Sequence, residues 1–396
     1  MMRIFGLVIV IILAVIVAAW IGGAIVADGG MRRIGDESWP AGLGTLASVE
    51  TRYPPQKTND GARRMVELAK PLGIAFESVG GKTDPLTSAI TGYVHAEHVR
   101  DEGAITEPPA EVLAYLDAHE AEIDALREHL LHGEAIVWDC DISKGFDAPL
   151  PHLAGHMNVV RLFVTRALVR GRGDDDRAWD DLHAAWRIEK IVEPRPELIS
   201  QLIGLAITRF VNGAAWKLPQ APSAAWFHEV QRIDHRRLLV GAYQSEMWMM
   251  WRNGERSMNG AMAVIARPYL RFSIVDMAHR QRAAMEKLAA VTTCSFDEVP
   301  SLDDIPRWNV LAQIAVPGNG AWQRAYRSVA EREATMNVMR IAQGQPIVAQ
   351  SACSDGAWQF ENDRLSFSRE IPKSNETEKV MPLSLAISAR ATRRST

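Results

Sequence analysis

The chain has 396 residues, 47% hydrophobic and 23% charged, which is enough apolar material for one large domain or two ordinary ones and too much for a disordered chain. Arg3 is the only charged residue before Asp28, so the formal net charge of −4 leaves −5 on the remainder, a mild acidity that excludes a nucleic-acid-binding role. Three scattered cysteines, Cys140, Cys294 and Cys353, rule out a disulfide framework or a zinc ribbon; the expectation is buried thiols, with at most one disulfide.

Ile4 to Ala27 is a run of 24 residues without a charge. At a helical rise it extends about 36 Å, enough to cross a hydrocarbon core with some tilt. It is longer than the roughly 7 to 15 apolar residues of a signal peptide, and Ile25 stands where cleavage after Ala27 requires a small residue. The run therefore reads as an uncleaved anchor, with the membrane as its partner. Arg3 and the amino terminus balance Arg32 and Arg33, so charge does not orient the helix. A short stub before a long domain is the signal-anchor layout, which places the domain on the non-cytoplasmic side.

Residues 28–58, with Trp39-Pro40 and Tyr53-Pro54-Pro55, read as an irregular tether. A helical domain follows over 59–345. Asn59 or Asp60 caps a short helix that ends at Pro71-Leu72-Gly73, and the stretch through Gly80-Gly81 and Asp84-Pro85 reads as loop. Pro108-Pro109 opens a single amphipathic helix with Val112, Leu113, Leu116, Ile123, Leu126 and Leu130 at three-and-four spacing, closed by Gly133. Further helices run from Ala154 to Arg170, from the aspartates 174–176 to Val192, and from Glu197 to Trp216. Ser223 is expected to cap one long helix to Trp251, bent near Gly241, and Arg267-Pro268 marks a boundary before helices at Tyr269–Val291 and Ala321–Ala342. In the last part, 346–396, the period changes. Trp358-Gln359-Phe360 and Leu365-Ser366-Phe367 alternate around Asn362-Asp363, and Leu383 to Ile387 alternates again, which predicts a small antiparallel sheet before a basic tail.

The fold class is therefore mainly α: a transmembrane helix, a hairpin- or solenoid-like helical domain and a small C-terminal β element. Leu162–Val169 is echoed by Leu205–Asn212, 43 residues later, a displacement typical of two-helix repeats. Ala178, Leu182 and Ala185, with glycines before and Pro194 after, resemble the second helix of a tetratricopeptide hairpin. The anchor, the segment Asn59 to Gly73, and Ala185-Trp186-Arg187-Ile188 with Pro196 to Ile203 are together similar to a family of bacterial membrane-anchored helical proteins of unassigned activity. That resemblance implies an anchored helical architecture in a bacterial cell envelope and carries no functional residue across.

No P-loop, nucleophile elbow or dinucleotide-binding glycine pattern is present, so no catalytic residue is assigned and no cofactor is expected. The metal candidates are His152 and His156, four apart, with Asp139 and Cys140 upstream; two histidines at that spacing on a helix can share a zinc ion. The partner-binding candidates are Met247, Trp248, Met250 and Trp251, whose adaptable apolar side chains suit a peptide or lipid. The expected function is a membrane-tethered helical scaffold that binds a cell-envelope protein. The alternatives are a metal-dependent hydrolase using His152 and His156, or a lipid-handling domain lying on its own membrane.

Overall fold

The computed structural model describes residues 2–76, 85–99, 105–218, 225–253, 261–292, 305–315, 320–371 and 381–387. The first helix, α1 (Met2–Asp36), contains the apolar run and continues past it without a break. Two described helices are long and apolar enough to cross a membrane. Leu198–Ala215 has 72% of its apolar window buried and is a core helix, whereas Val10–Asp36 has 6% buried. Of these two, α1 is the one whose apolar surface is exposed.

Beyond Asp36 the expected irregular tether is ordered as well. A two-stranded ribbon, β1 (Ser38–Trp39) with β2 (Gly44–Thr45), leads into a 3-10 turn and α2 (Val49–Arg52). Trp39, Leu46 and Val49 are buried, and Arg52 donates to Gln244 Oε1 at 2.8 Å. Apolar side chains that can reach the core hold this segment against it, and composition alone did not reveal that reach.

The next helices are α3 (Asp60–Ala69), α4 (Pro85–Val99), α5 (Ala110–Ala118) and α6 (Glu120–His132). Asn59 Oδ1 caps α3 by accepting the Ala62 N–H at 3.0 Å, and Gly73 closes its end with φ of 69°. Helix α4 begins at Pro85, where the expected loop ends, and fills a stretch to which no element was assigned; 77–84 lies outside the described residues. Ile90, Tyr93, Val94 and Glu97 are all buried, at helical spacing; the acid at the fourth position hides the stripe, because its burial depends on Lys217, whose ammonium lies 2.7 Å away. The long amphipathic helix is interrupted at His119, where the backbone leaves the helical region, yet Val112, Leu116, Ile123, Leu126 and Leu130 are all buried as predicted.

Helices α7 (Leu153–Arg172), α8 (Ala178–Val192) and α9 (Leu198–Ala215) form the centre. They are followed by α10 (Ala225–Val230), α11 (His235–Asn253), α12 (Ala261–Ala290), α13 (Val310–Ala315) and α14 (Gly320–Ala342). The expected single helix to Trp251 is divided before α11, where Asp234 Oδ1 accepts the N–H groups of Arg236 and Arg237 at 3.1 and 3.3 Å; Gly241 lies within unbroken α11, and Ser223 lies outside the described residues. Helix α12 passes through Pro268. The sheet is β3 (Trp358–Glu361), β4 (Arg364–Ile371) and β5 (Met381–Ala386), antiparallel in that order, with Trp358 opposite Phe367 and Phe360 opposite Leu365. Its first turn places Asn362 and Asp363 at φ of 51° and 57°, the paired positive values of a type I′ hairpin.

Three apolar clusters result. The first joins α3 to α10; the second joins the end of α1, the ribbon, α11, α12 and α14; the third packs the far half of α14 on the sheet through Val329, Ala334, Trp358, Leu365 and Phe367. Cys140 is a buried free thiol, as expected, while Cys353, in the third cluster, is disulfide-bonded; Cys294 lies outside the described residues.

Charged pairs lock the first cluster from within. Asp181 on α8 is wholly buried and accepts Arg166 Nε at 2.9 Å and Arg170 Nη1 at 2.6 Å, both from α7, with Arg127 of α6 at 3.6 Å. Arg195 and Glu197 pair at 2.6 Å in the α8–α9 turn, and Arg195 also donates to the carbonyls of Asp139 and Pro149 at 2.8 and 3.0 Å, which pins the 134–152 connection. Removing one member of such a buried cluster strands the opposite charges. Asp181→Ala should therefore cost about 3–5 kcal/mol, read as a lowered denaturant midpoint of the detergent-solubilised protein.

Candidate functional site

His152 and His156 occupy the first turns of α7. His152 precedes the helix, and its Nδ1 accepts the Gly155 N–H at 3.1 Å, so one ring nitrogen is engaged as a helix cap. His156 is completely buried; its Nδ1 lies 2.9 Å from the His152 carbonyl, and the ring stands edge-on to Phe76 and Trp138 at 5.2 and 5.4 Å. Burial pushes its pKa down to about 4, which keeps the imidazole neutral.

Asp139 turns away toward Thr58, accepting its N–H at 2.6 Å, and Cys140 forms a β-bridge with Gln56, its thiol pushed up by burial. Among the described residues no group of three or more His, Cys, Asp or Glu is placed to hold a metal. The two histidines serve as a cap and a buried aromatic, and no pocket brings the four residues together.

The Met/Trp segment of α11 is interior. Met247, Trp248 and Met250 are buried in the second cluster, and Trp251 packs against it. Trp251 Nε1 donates to the Met31 carbonyl at 2.8 Å, and its ring lies where a Cβ on Gly35 would be, 2.6 Å from the ideal position. These residues are thus not an exposed partner surface. They clasp the end of α1, because a helix apolar on more than one face has two sides to bury.

A cleft of about 440 Å³ lies elsewhere, between α10, α14 and the sheet. It is positioned by α14, whose far half carries three polar residues used as fasteners. Glu333 accepts from Ser351 Oγ at 2.6 Å, the Ala352 N–H at 2.6 Å and Trp358 Nε1 at 2.9 Å. Asn337 exchanges hydrogen bonds with the backbone of Val348 at 2.8 and 3.1 Å, and so lays the 346–350 strand along the helix. Arg332 Nη1 donates to the Ile233 carbonyl at 3.0 Å.

Met336, Val348 and Trp358 supply apolar lining, and His228, Arg232 and Arg332 also line the cleft. Burial pushes the Arg332 guanidinium below its ordinary value, with Asp234 and Glu333 countering. Glu333, the acid that lines the cleft, already has its oxygens engaged. The cleft can therefore hold a partly apolar ligand bearing negative charge. None of its residues stood out in the sequence: Trp358 was legible only as a strand residue, and the arginines, Arg232 in the turn after α10 and Arg332 on α14, stand about a hundred positions apart.

No protein family, curated protein or solved structure matches the chain.

Two buried groups make opposite demands on pH. His156, held near 4 in the fold, would bind protons first in the unfolded chain, so the stability it confers is present above about pH 6.5 and is lost as pH falls toward 4. Glu189 on α8 is buried with no hydrogen-bond partner among the described residues, and burial raises its pKa to about 8. Its contribution is present below the carboxylate's ordinary 4.5 and is lost as pH rises to about 8. His156→Phe should flatten the acid limb by on the order of 3 kcal/mol, and Glu189→Gln should flatten the alkaline limb. Chemical denaturation at a series of pH values from 4 to 9 checks both.

Proposed function

We propose that the chain is a membrane-tethered helical scaffold, and that the cleft between α10, α14 and the sheet receives an acidic segment of a cell-envelope partner. The observation that carries this reading is the cleft itself: a cavity of about 440 Å³, within the usual size of ligand clefts, whose lining combines Met336, Val348 and Trp358 with Arg232 and Arg332. Carboxylates of the partner lie against Arg232 and Arg332, and its apolar side chains against Met336, Val348 and Trp358. Charge complementarity of this kind directs encounter and register more than it adds affinity.

The compartment in this proposal is a bacterial plasma membrane, with a single spanning helix and the domain on the non-cytoplasmic side. The disulfide at Cys353 supports it, since such bonds persist outside the reducing cytosol. The signal-anchor layout of α1 points the same way. The metal-dependent hydrolase alternative loses its support, because His152 is a cap and His156 a buried neutral ring.

The test is site-specific photocrosslinking in cells, with the photoreactive residue at Val348 in the full-length chain, followed by identification of the crosslinked peptide. The expected adduct is one partner, captured through an Asp/Glu-rich segment. Arg232→Glu, at an exposed position, lowers its yield by roughly tenfold. An adduct on a neutral or basic segment, or one indifferent to the charge reversal, overturns the proposal.

A further inference from the structure

Helix α12 lies alongside α1 in the same direction, and a ladder of contacts sets their relative heights. Trp20 Nε1 donates to the Ile265 carbonyl at 3.0 Å, Gly23 faces Phe272, Asp28 pairs with Arg271, Gly30 faces Val275, and Glu37 pairs with Arg282 at 2.8 Å. Asp28 is the first charge beyond the apolar run of α1. Trp20 is eight residues below it, so Ile265 sits about 12 Å below the level at which charge begins. If α1 crosses a bilayer, the first turns of α12 are inside it too.

Their surface is suited to that place. Ile265, Tyr269 and Phe272 are exposed at a spacing of four and three, with Val264 beside them, so one apolar stripe runs up the helix. Tyr269 donates to the Trp308 carbonyl at 2.7 Å, and Trp308 and Val310 extend the exposed apolar surface. In water this would be a patch without an explanation. Between Ala261 and Leu270 the chain carries one charge, Arg267, whose long side chain can reach upward to headgroup level.

At the upper end of the stripe is a cleft of about 360 Å³, lined by Asp28, Met31, Arg32, Trp251, Arg252 and Arg271. It holds three guanidiniums against one carboxylate, and Asp28 is already paired with Arg271. Arg32 and Arg252 are exposed, with Arg252 lying over the Trp251 ring at 5.6 Å.

The geometry points to a phospholipid site: the headgroup phosphate of an anionic phospholipid sits among Arg32, Arg252 and Arg271, its acyl chains lie along the α12 stripe, and the start of α12 with the Trp308–Val310 turn is a second membrane-embedded element. The inference rests on α1 crossing the bilayer and does not depend on the partner cleft. Continuity with the apolar surface of α1 selects lipid as the occupant, and the excess of guanidinium selects a negative headgroup.

Full-length protein is reconstituted in vesicles of phosphatidylcholine with phosphatidylglycerol that carry a photoreactive group on the acyl chain, and crosslinked peptides are mapped. Adducts are expected on residues 261–272 as well as 4–27. Adducts confined to 4–27 overturn the embedded α12 while leaving the anchor intact; adducts on neither overturn both. Retention of phosphatidylglycerol relative to phosphatidylcholine is then measured by native mass spectrometry. The double variant Arg32→Gln/Arg252→Gln should reduce it by about fivefold per arginine, roughly thirtyfold in all, with Arg33→Gln as an exposed control that leaves it unchanged. Equal retention of the two lipids, no effect of the double variant, or displacement by millimolar inorganic phosphate overturns the headgroup site.

Discussion

Val26 of α1 is 64% exposed and Ala27, the next residue, is 1% exposed. The two stand on different faces of one helix: Gly23, Ala27, Gly30 and Ile34 share the side turned to the protein, while Val26 stays on the exposed apolar side. Beyond the apolar run the helix has what a core helix needs: Ile34 to bury, and Gly30 and Gly35 where Val275 and Trp251 approach most closely. The arrangement ties orientation to fold. A flexible tether would leave the domain free to move relative to α1, whereas a docked helix fixes which residues of α12 lie beside it and at what height.

The same continuity explains the second cluster. Met247, Trp248 and Met250 face inward because α11 has α1 on one side and α12 and α14 on others. The first cluster is held differently. There the apolar interior of α7, α8 and α9 encloses Asp181 and its guanidiniums, and such a pair contributes little net stability over apolar substitutes while penalising any packing that separates its members. The echo between Leu162–Val169 and Leu205–Asn212 follows this logic: Arg166 meets Asp181 of α8, and Arg209, its counterpart, meets Glu331 of α14 at 3.1 Å. The repeated residues thus perform the same work on different neighbours.

The two clefts lie at different boundaries. One is formed where the helical body meets the C-terminal sheet, through Glu333 and Asn337, and the other where the body meets α1, through Trp251 and Arg271. Neither is built within a single element. Each depends on helices that are distant in the chain, which is why no motif announced them.

Local chemistry made several features readable from residues alone. Ile123, Leu126 and Leu130 recur at helical spacing, Asn362-Asp363 tolerates the positive φ of a hairpin, and Ile4 to Ala27 lacks any charge; each signal is complete within a few turns or a single turn. Glu97 and Trp251 misled or stayed mute because their meaning lies across the fold, with Lys217 and Met31 respectively. The sequence by itself therefore determined the long apolar first helix, the helical class and the terminal sheet, since periodicity and turn preference are properties of neighbouring residues. Tertiary structure alone decided that this helix docks on the domain, that His156 and the Met/Trp segment are turned inward, and where positive charge gathers, since burial and charge pairing are properties of residues brought together from afar.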